Sequence, residues 1–325
     1  MNSVIAIEAT SLGKTYGHVT AIQDISLTVH KGEIFGMLGP NGAGKSTTLR
    51  ILITILPPTS GTATILGHDT VKEAEHVRSL IGYVPQERAI DRFLTGREHL
   101  LLLGDLYHLP KAEAKQRINQ LLQLVDLEEH ADRPAKTYSG GMKRKLDIAC
   151  GLLPNPEILF LDEPTLGLDV QSRLRIWAYV RQLKEQGITI VMTTNYLEEA
   201  EQLCDRLVII DEGQIRALGS PNELKTALGG DSLSLTLKQV GEHDFQHMSN
   251  ELESFACIRH IQTTANGLDI RVDSPEKALP TILDVANKVN CRIEGIEYHR
   301  PRLDDVFIAH TGHAIKGGVP DEVTE

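Results

Sequence analysis

Gly39-Pro40-Asn41-Gly42-Ala43-Gly44-Lys45-Ser46 follows a short strand-like run, 33–38, and opens a stretch, 45–55, with helical spacing. It fits the pattern glycine, four residues, glycine, lysine, serine in full. The chemistry needs those residue types. Glycines let the backbone curl so that several N–H groups converge on phosphate oxygens. The helix that follows adds the positive end of its dipole. Lys45 brings a mobile positive charge, and Ser46 a hydroxyl suited to a hard divalent cation. Strand, glycine-rich turn and helix in this order predict an α/β fold.

The same alternation continues outward. Short aliphatic runs at 158–161, 189–192 and 207–210 suit strands buried on both faces of a parallel sheet. Helical stretches at 171–185 and 197–204 lie between them. The middle, 97–125, is helical by the spacing of Leu100, Leu101, Leu103, Leu121, Leu122 and Val125, and predicts a helical insert over about 95–155. A boundary is expected at Gly229 and Gly230, after a helix opened by Ser220-Pro221. The first domain is then 1–230. The remainder, 231–325, reads as a small α+β domain, with strands at 233–237 and 268–272, a helix at 278–289 and a frayed polar tail at 317–325.

Composition narrows the function classes. The chain has 325 residues, with 33 basic against 44 acidic side chains and a formal charge of −11, which argues against a duplex-binding protein. No apolar run approaches the ~18 residues of a membrane span. The first ten residues lack the basic-then-apolar order of a secretory signal. Cys150, Cys204, Cys257 and Cys291 are far apart and read as reduced cytosolic thiols rather than zinc ligands.

A second candidate half-site is Ile158-Leu159-Phe160-Leu161-Asp162-Glu163, an apolar strand ending in two carboxylates. Asp162 at the strand end suits a metal, and Glu163, pointing elsewhere, suits orientation of an attacking water. Taken alone, the pair is equally well read as a helix N-cap.

Tyr138-Ser139-Gly140-Gly141-Met142 lies just upstream, with Ser139 23 residues ahead of Asp162. Together with the phosphate loop it resembles the ATP-binding subunits of ABC transporters, from residue 5 to about 228. The resemblance implies a P-loop ABC ATPase domain with ATP and Mg²⁺ as ligands. Gly39, Pro40, Asn41, Gly42, Ala43, Gly44, Lys45, Ser46 and Thr47 would surround the phosphates, and Tyr16 would stack on adenine. Ser46, Gln86 and Asp162 would hold the metal; Glu163, Lys45 and Asn195 would carry catalysis. Ser139, Gly140, Gly141 and Asp169 would serve the nucleotide of a second copy, in an ATP-sandwich dimer. The resemblance further implies separate transmembrane permease subunits, a peripheral place on the cytoplasmic face of the cell membrane and no nucleic-acid partner. Residues 87–95 are the expected permease contact, with Phe93 and Leu94 assigned to the core. Residues 301–312 are similar to the end of exporter ATPases of the daunorubicin-resistance type, with Val306 and Phe307 on a buried side.

Three positions depart from the family's pattern. Tyr138 stands for Leu and Met142 for Gln in the signature, and Asn195 stands for the usual His. An amide can donate one hydrogen bond but cannot become cationic. Slow hydrolysis and a tolerated variant are both compatible with that change. The expected function is the ATP-hydrolysing motor of an exporter of drug, lipid or glycan-like cargo. The competing readings are a soluble non-transport ABC-type ATPase, a nucleotide-sensing module with little hydrolysis, and an importer subunit. A single phosphate loop disfavours the ribosome- or DNA-acting kind, which carries two cassettes or a long coiled-coil insertion.

Overall fold

In the computed structural model the described residues are 4–87, 90–228, 231–237, 242–264, 267–289 and 291–313. Contacts divide the chain between Ser220 and Pro221. The first unit runs β1 (Ile5–Tyr16), β2 (Val19–His30), β3 (Ile34–Leu38), α1 (Lys45–Leu52), β4 (Ser60–Ile65), β5 (His68–Asp69), α2 (Ala74–Leu80) and β6 (Ile81–Val84). It continues through α3 (Gly96–Leu106), α4 (Lys111–Leu124), α5 (Gly140–Leu152), β7 (Ile158–Asp162), α6 (Val170–Glu185), β8 (Thr189–Thr194), α7 (Leu197–Leu203), β9 (Arg206–Asp211) and β10 (Gln214–Gly219).

Two sheets organise this unit. One is antiparallel, in the order β2-β1-β4-β5; the other has the order β10-β9-β3-β8-β7-β6 and is parallel except where β10 meets β9. Every residue of β3, β7 and β8 is buried, as central parallel strands require. One core joins Ile7, Ile25 and Val29 of the first sheet to Phe35, Phe160 and Val191 of the second, with Leu49 and Ile51 of α1. The parallel register brings the C-terminal ends of β3, β7 and β8 side by side, where Leu38 pairs with Thr194 and Asp162 with Thr193. Ligand sites of open α/β sheets lie at such ends.

The insert is three helices. Thr95 and Glu98 close a capping box at the start of α3. Ser139 caps α5, accepting the N–H of Met142 at 3.2 Å. Phe93 corrects the expectation of a core residue: it is 67% exposed. The Asp91 carboxylate holds its N–H at 2.8 Å, and the Arg92 guanidinium lies 5.1 Å from its ring, so the side chain stands outside the fold. Leu94 is half-buried. Residues 88 and 89 of the expected permease contact lie outside the described residues.

The second unit contains α8 (Pro221–Ala227), β11 (Asp231–Leu237), α9 (Glu242–Glu253), β12 (Ile258–Thr264), β13 (Gly267–Val272), α10 (Pro275–Lys288), β14 (Ile293–His299) and α11 (Leu303–Thr311). Its sheet, β12-β13-β11-β14, is antiparallel throughout. Leu233, Leu235, Leu268 and Ile270 pack under Met248, Leu252, Ile282 and Val285 of α9 and α10. Val306 and Phe307 of α11 are fully buried. The expected boundary glycines 229 and 230, and the tail 317–325, lie outside the described residues. The division falls earlier because α8 packs against α11.

Among the described residues no helix is long and apolar enough to cross a membrane. All four cysteines are free, and Cys204 and Cys291 are buried.

Candidate functional site

The loop from Gly39 to Thr47 crosses the end of β3, and α1 begins at Lys45. Two of its glycines are dictated by geometry. A Cβ on Gly39 would sit 2.1 Å from the Ile210 carbonyl oxygen, and Gly44 caps α1 at φ +105°, where its Cβ would meet Ile22 at 2.6 Å. Lys45 folds back over the loop, with Nζ donating to the carbonyls of Gly39 at 2.7 Å and Pro40 at 2.9 Å. Burial pulls its ammonium below the ordinary lysine range; the nearby Glu163 and Asp162 charges oppose that pull.

Glu163, just past the end of β7, turns into the left-handed region at φ +44°, unusual for a residue with a Cβ. Thr193 of β8 holds that turn. Its backbone carbonyl and its hydroxyl both accept the Glu163 N–H, and the hydroxyl donates to the buried Asp162 carboxylate. The Gln86 amide donates to Glu163 Oε2 at 3.3 Å. Burial raises the Glu163 carboxyl above the ordinary carboxylate range, opposed by Lys45 and reinforced by Asp162.

Asn41 through Thr47, Gln86 and Glu163 thus line one cleft of about 310 Å³. Asp162 is buried behind it. Among the described residues there is no group of three His, Cys, Asp or Glu side chains able to hold a metal by themselves. The donors here are one hydroxyl, one amide and carboxylates. That set suits a small hard cation that takes its remaining ligands from phosphate and water.

The other expected residues are not part of that lining. Ser139 and Gly141 line a separate cavity of about 450 Å³ with Met142, Lys145, Ser172 and Arg175. Gly140 is the first residue of α5. Asp169 caps α6, accepting the N–H of Ser172 at 2.8 Å and its hydroxyl at 2.9 Å, which lowers the carboxyl's pKa. Tyr16, at the end of β1, is 46% exposed and outside the cleft lining. Asn195 follows β8, is buried, and leaves its Oδ1 without a hydrogen-bond partner. Tyr138 accounts for its own departure from Leu: its hydroxyl donates to the His130 carbonyl at 2.6 Å, tying down the entrance to α5. Sequence reasoning missed Thr193, which lies two residues before Asn195 but carries no spacing signal of its own.

The chain is similar to known proteins along most of its length. The ABC transporter family model matches residues 22–166, and the C-terminal domain of DrrA1-3-like ATP-binding proteins matches residues 219–311. The daunorubicin/doxorubicin resistance ATP-binding protein DrrA of Streptomyces peucetius is 39% identical, over 98% of this chain and 96% of that protein. The Nod factor export ATP-binding protein I of Sinorhizobium fredii is 37% identical, over 97% and 88%. A solved ATP-binding subunit of an ABC transporter superimposes with a TM-score of 0.62 at 32% identity, covering 69% of this chain and 93% of that one. A dimeric ATP-binding cassette bound to ADP and Pi superimposes with a TM-score of 0.59 at 28% identity, covering 66% and 98%. The chain belongs to the ATP-binding subunits of ABC transporters, in the branch that carries the DrrA-type C-terminal domain.

Proposed function

We propose that this chain is the ATP-hydrolysing motor of an ABC exporter and works with a separate permease. The observation that carries the reading is the convergence of the phosphate loop, Gln86 and Glu163 on one cleft, with Lys45 folded across it. The N–H groups of 41–47 and the α1 N-terminus bind the phosphates. Lys45 exchanges its two carbonyl partners for phosphate oxygens. Ser46, Gln86 and Asp162 would hold Mg²⁺, which would supply charge neutralisation for the transferred phosphoryl group. Glu163 orients the attacking water and accepts its proton. Asn195 supplies a neutral donor to the phosphate.

Ser139, Gly140 and Gly141 cap the nucleotide of a second copy, and Asp169 lies on the loop that crosses between copies. ATP binding closes the pair and hydrolysis opens it, which drives the permease between two states. The relatives are named for resistance to daunorubicin, doxorubicin or linearmycin and for Nod factor export. In this chain the cargo is selected by the permease, and the subunit sits peripherally on the cytoplasmic face.

The test is steady-state Mg·ATP hydrolysis by the purified chain against Glu163→Gln. Turnover lost by ~10²-fold or more in the variant supports the motor. No turnover above the variant, with or without co-expressed permease, favours a nucleotide sensor, the reading to which Asn195 lends weight.

A further inference from the structure

Arg144 is a buried cation in an ion pair with Asp147, one turn further along α5. It is 3% exposed, and the Asp147 carboxylate lies 3.9 Å away. Its guanidinium also donates to three backbone carbonyls. Nη1 donates to the carbonyl of Pro85 at 2.6 Å, Nη2 to that of Asp162 at 2.9 Å, and Nε to that of Pro164 at 2.8 Å. A planar fork spreads its donors over three nitrogens in fixed directions, so it can serve three separated carbonyls at once, where a lysine's three donors all radiate from one nitrogen. The identity of those carbonyls matters. Pro85 immediately precedes Gln86, while Asp162 and Pro164 bracket Glu163. The two side chains meet at 3.3 Å. Arg144 itself lies in the second turn of α5, the helix that Ser139 caps.

We propose that Arg144 is a positioning residue: it fastens Gln86 and Glu163 to the signature helix, so that their spacing follows where α5 sits. One rigid helix then carries Ser139 at its N-terminus and, on its flank, the backbone beside Gln86 and Glu163. A displacement of Ser139 is passed to Glu163 through the hydrogen bonds to Pro85, Asp162 and Pro164, none of which belongs to the phosphate loop. The inference rests on the reading of Glu163 as the group that orients water.

That division predicts a split in the kinetics. Lysine keeps the charge but presents a single ammonium, which cannot reach all three carbonyls in their present directions. Arg144→Lys in the full chain is expected to lower kcat at least tenfold. The Kd for a fluorescent methylanthraniloyl ATP, bound in EDTA, is expected to stay within twofold, because the three hydrogen bonds lost go to Pro85, Asp162 and Pro164 and not to the loop of 39–47. Arg144→Gln should behave alike and more severely. Combined with Gln86→Ala, Arg144→Lys should cost far less than the product of the two single losses, since both act through the same contact. A kcat within twofold of wild type in Arg144→Lys overturns the proposal. So does loss of nucleotide binding in parallel with kcat and a large fall in Tm in both variants, which would mark Arg144 as structural support only. Absence of hydrolysis in the wild-type chain with its permease would instead overturn the motor reading itself.

Discussion

The Gln86 amide and the Glu163 carboxylate meet at 3.3 Å, joining the end of β6 to the end of β7 across the mouth of the cleft. In sequence they are far apart, and only the parallel pairing of β6 with β7 brings them together. The contact gives Glu163 one neutral donor and leaves its charge to be balanced chiefly by Lys45. Burial opposes both charges: it raises the carboxyl's pKa and lowers the ammonium's. The pair is charged together or weakened together.

The pH profile of turnover should carry that signature. Glu163 must be ionised to take a proton, so activity falls as pH drops through its pKa. Because burial raises that pKa, the acid limb should lie above the ordinary glutamate range near ~4.3. Lys45 must be charged, and its lowered pKa brings the alkaline limb in below the ordinary lysine value near ~10.4. Plots of kcat/KM against pH, at fixed Mg²⁺, check both limbs. An acid half-point at ~4.3 or below would contradict the role of burial at Glu163.

Asn195→His should raise turnover, by up to about tenfold, equivalent to ~1.4 kcal/mol. A protonated imidazole makes a charge-assisted bond to phosphate that an amide cannot make. The buried Oδ1 of Asn195 has no partner to lose, so the substitution breaks no hydrogen bond at that atom. The measurement is kcat at saturating ATP for both chains. Equal values would mean that the amide donor is sufficient.

Phe93→Ala should leave the isolated chain's Tm and ATP turnover unchanged, because the ring is 67% exposed and does not line the cleft. Co-purification with the permease should weaken. Loss of an aromatic anchor at an interface costs about 1–3 kcal/mol, roughly 5- to 150-fold in affinity. Unchanged recovery of the complex would move the contact away from 87–95.

The phosphate loop and the central strands were legible because their signals are local. Glycine, lysine and serine must stand at fixed spacing, and strands buried on both faces read as unbroken aliphatic runs. The antiparallel sheet of β1, β2 and β4 was not legible. Register shifts interrupt the pairing of β1 with both neighbours, so its inward residues do not alternate strictly. Phe93 was misread because exposure there is set by how Asp91 and Arg92 hold the loop, not by hydrophobicity. The roles of Thr193 and Arg144 depend on hydrogen bonds to distant backbone, which no spacing in the chain announces.

The paired glycines at 229 and 230 invite a cut at a place where the second unit has already begun. Pro221 and Leu224 of α8 are buried, and α8 packs against α11, whose Leu303, Val306 and Phe307 are fully buried. A chain ended at 230 would therefore keep α8 without α11. Leu224 would be left facing water, and stripping one leucine of its cover forfeits about 1.5–3 kcal/mol of burial and exposes a sticky face. A chain ended at Ser220 removes the helix with its partner and leaves no such remnant. Fragment 1–220 should accordingly stay monodisperse in light scattering, with ATP binding intact, whereas 1–230 should aggregate at lower temperature. Equal behaviour of the two fragments would show that α8 does not depend on α11 for its cover.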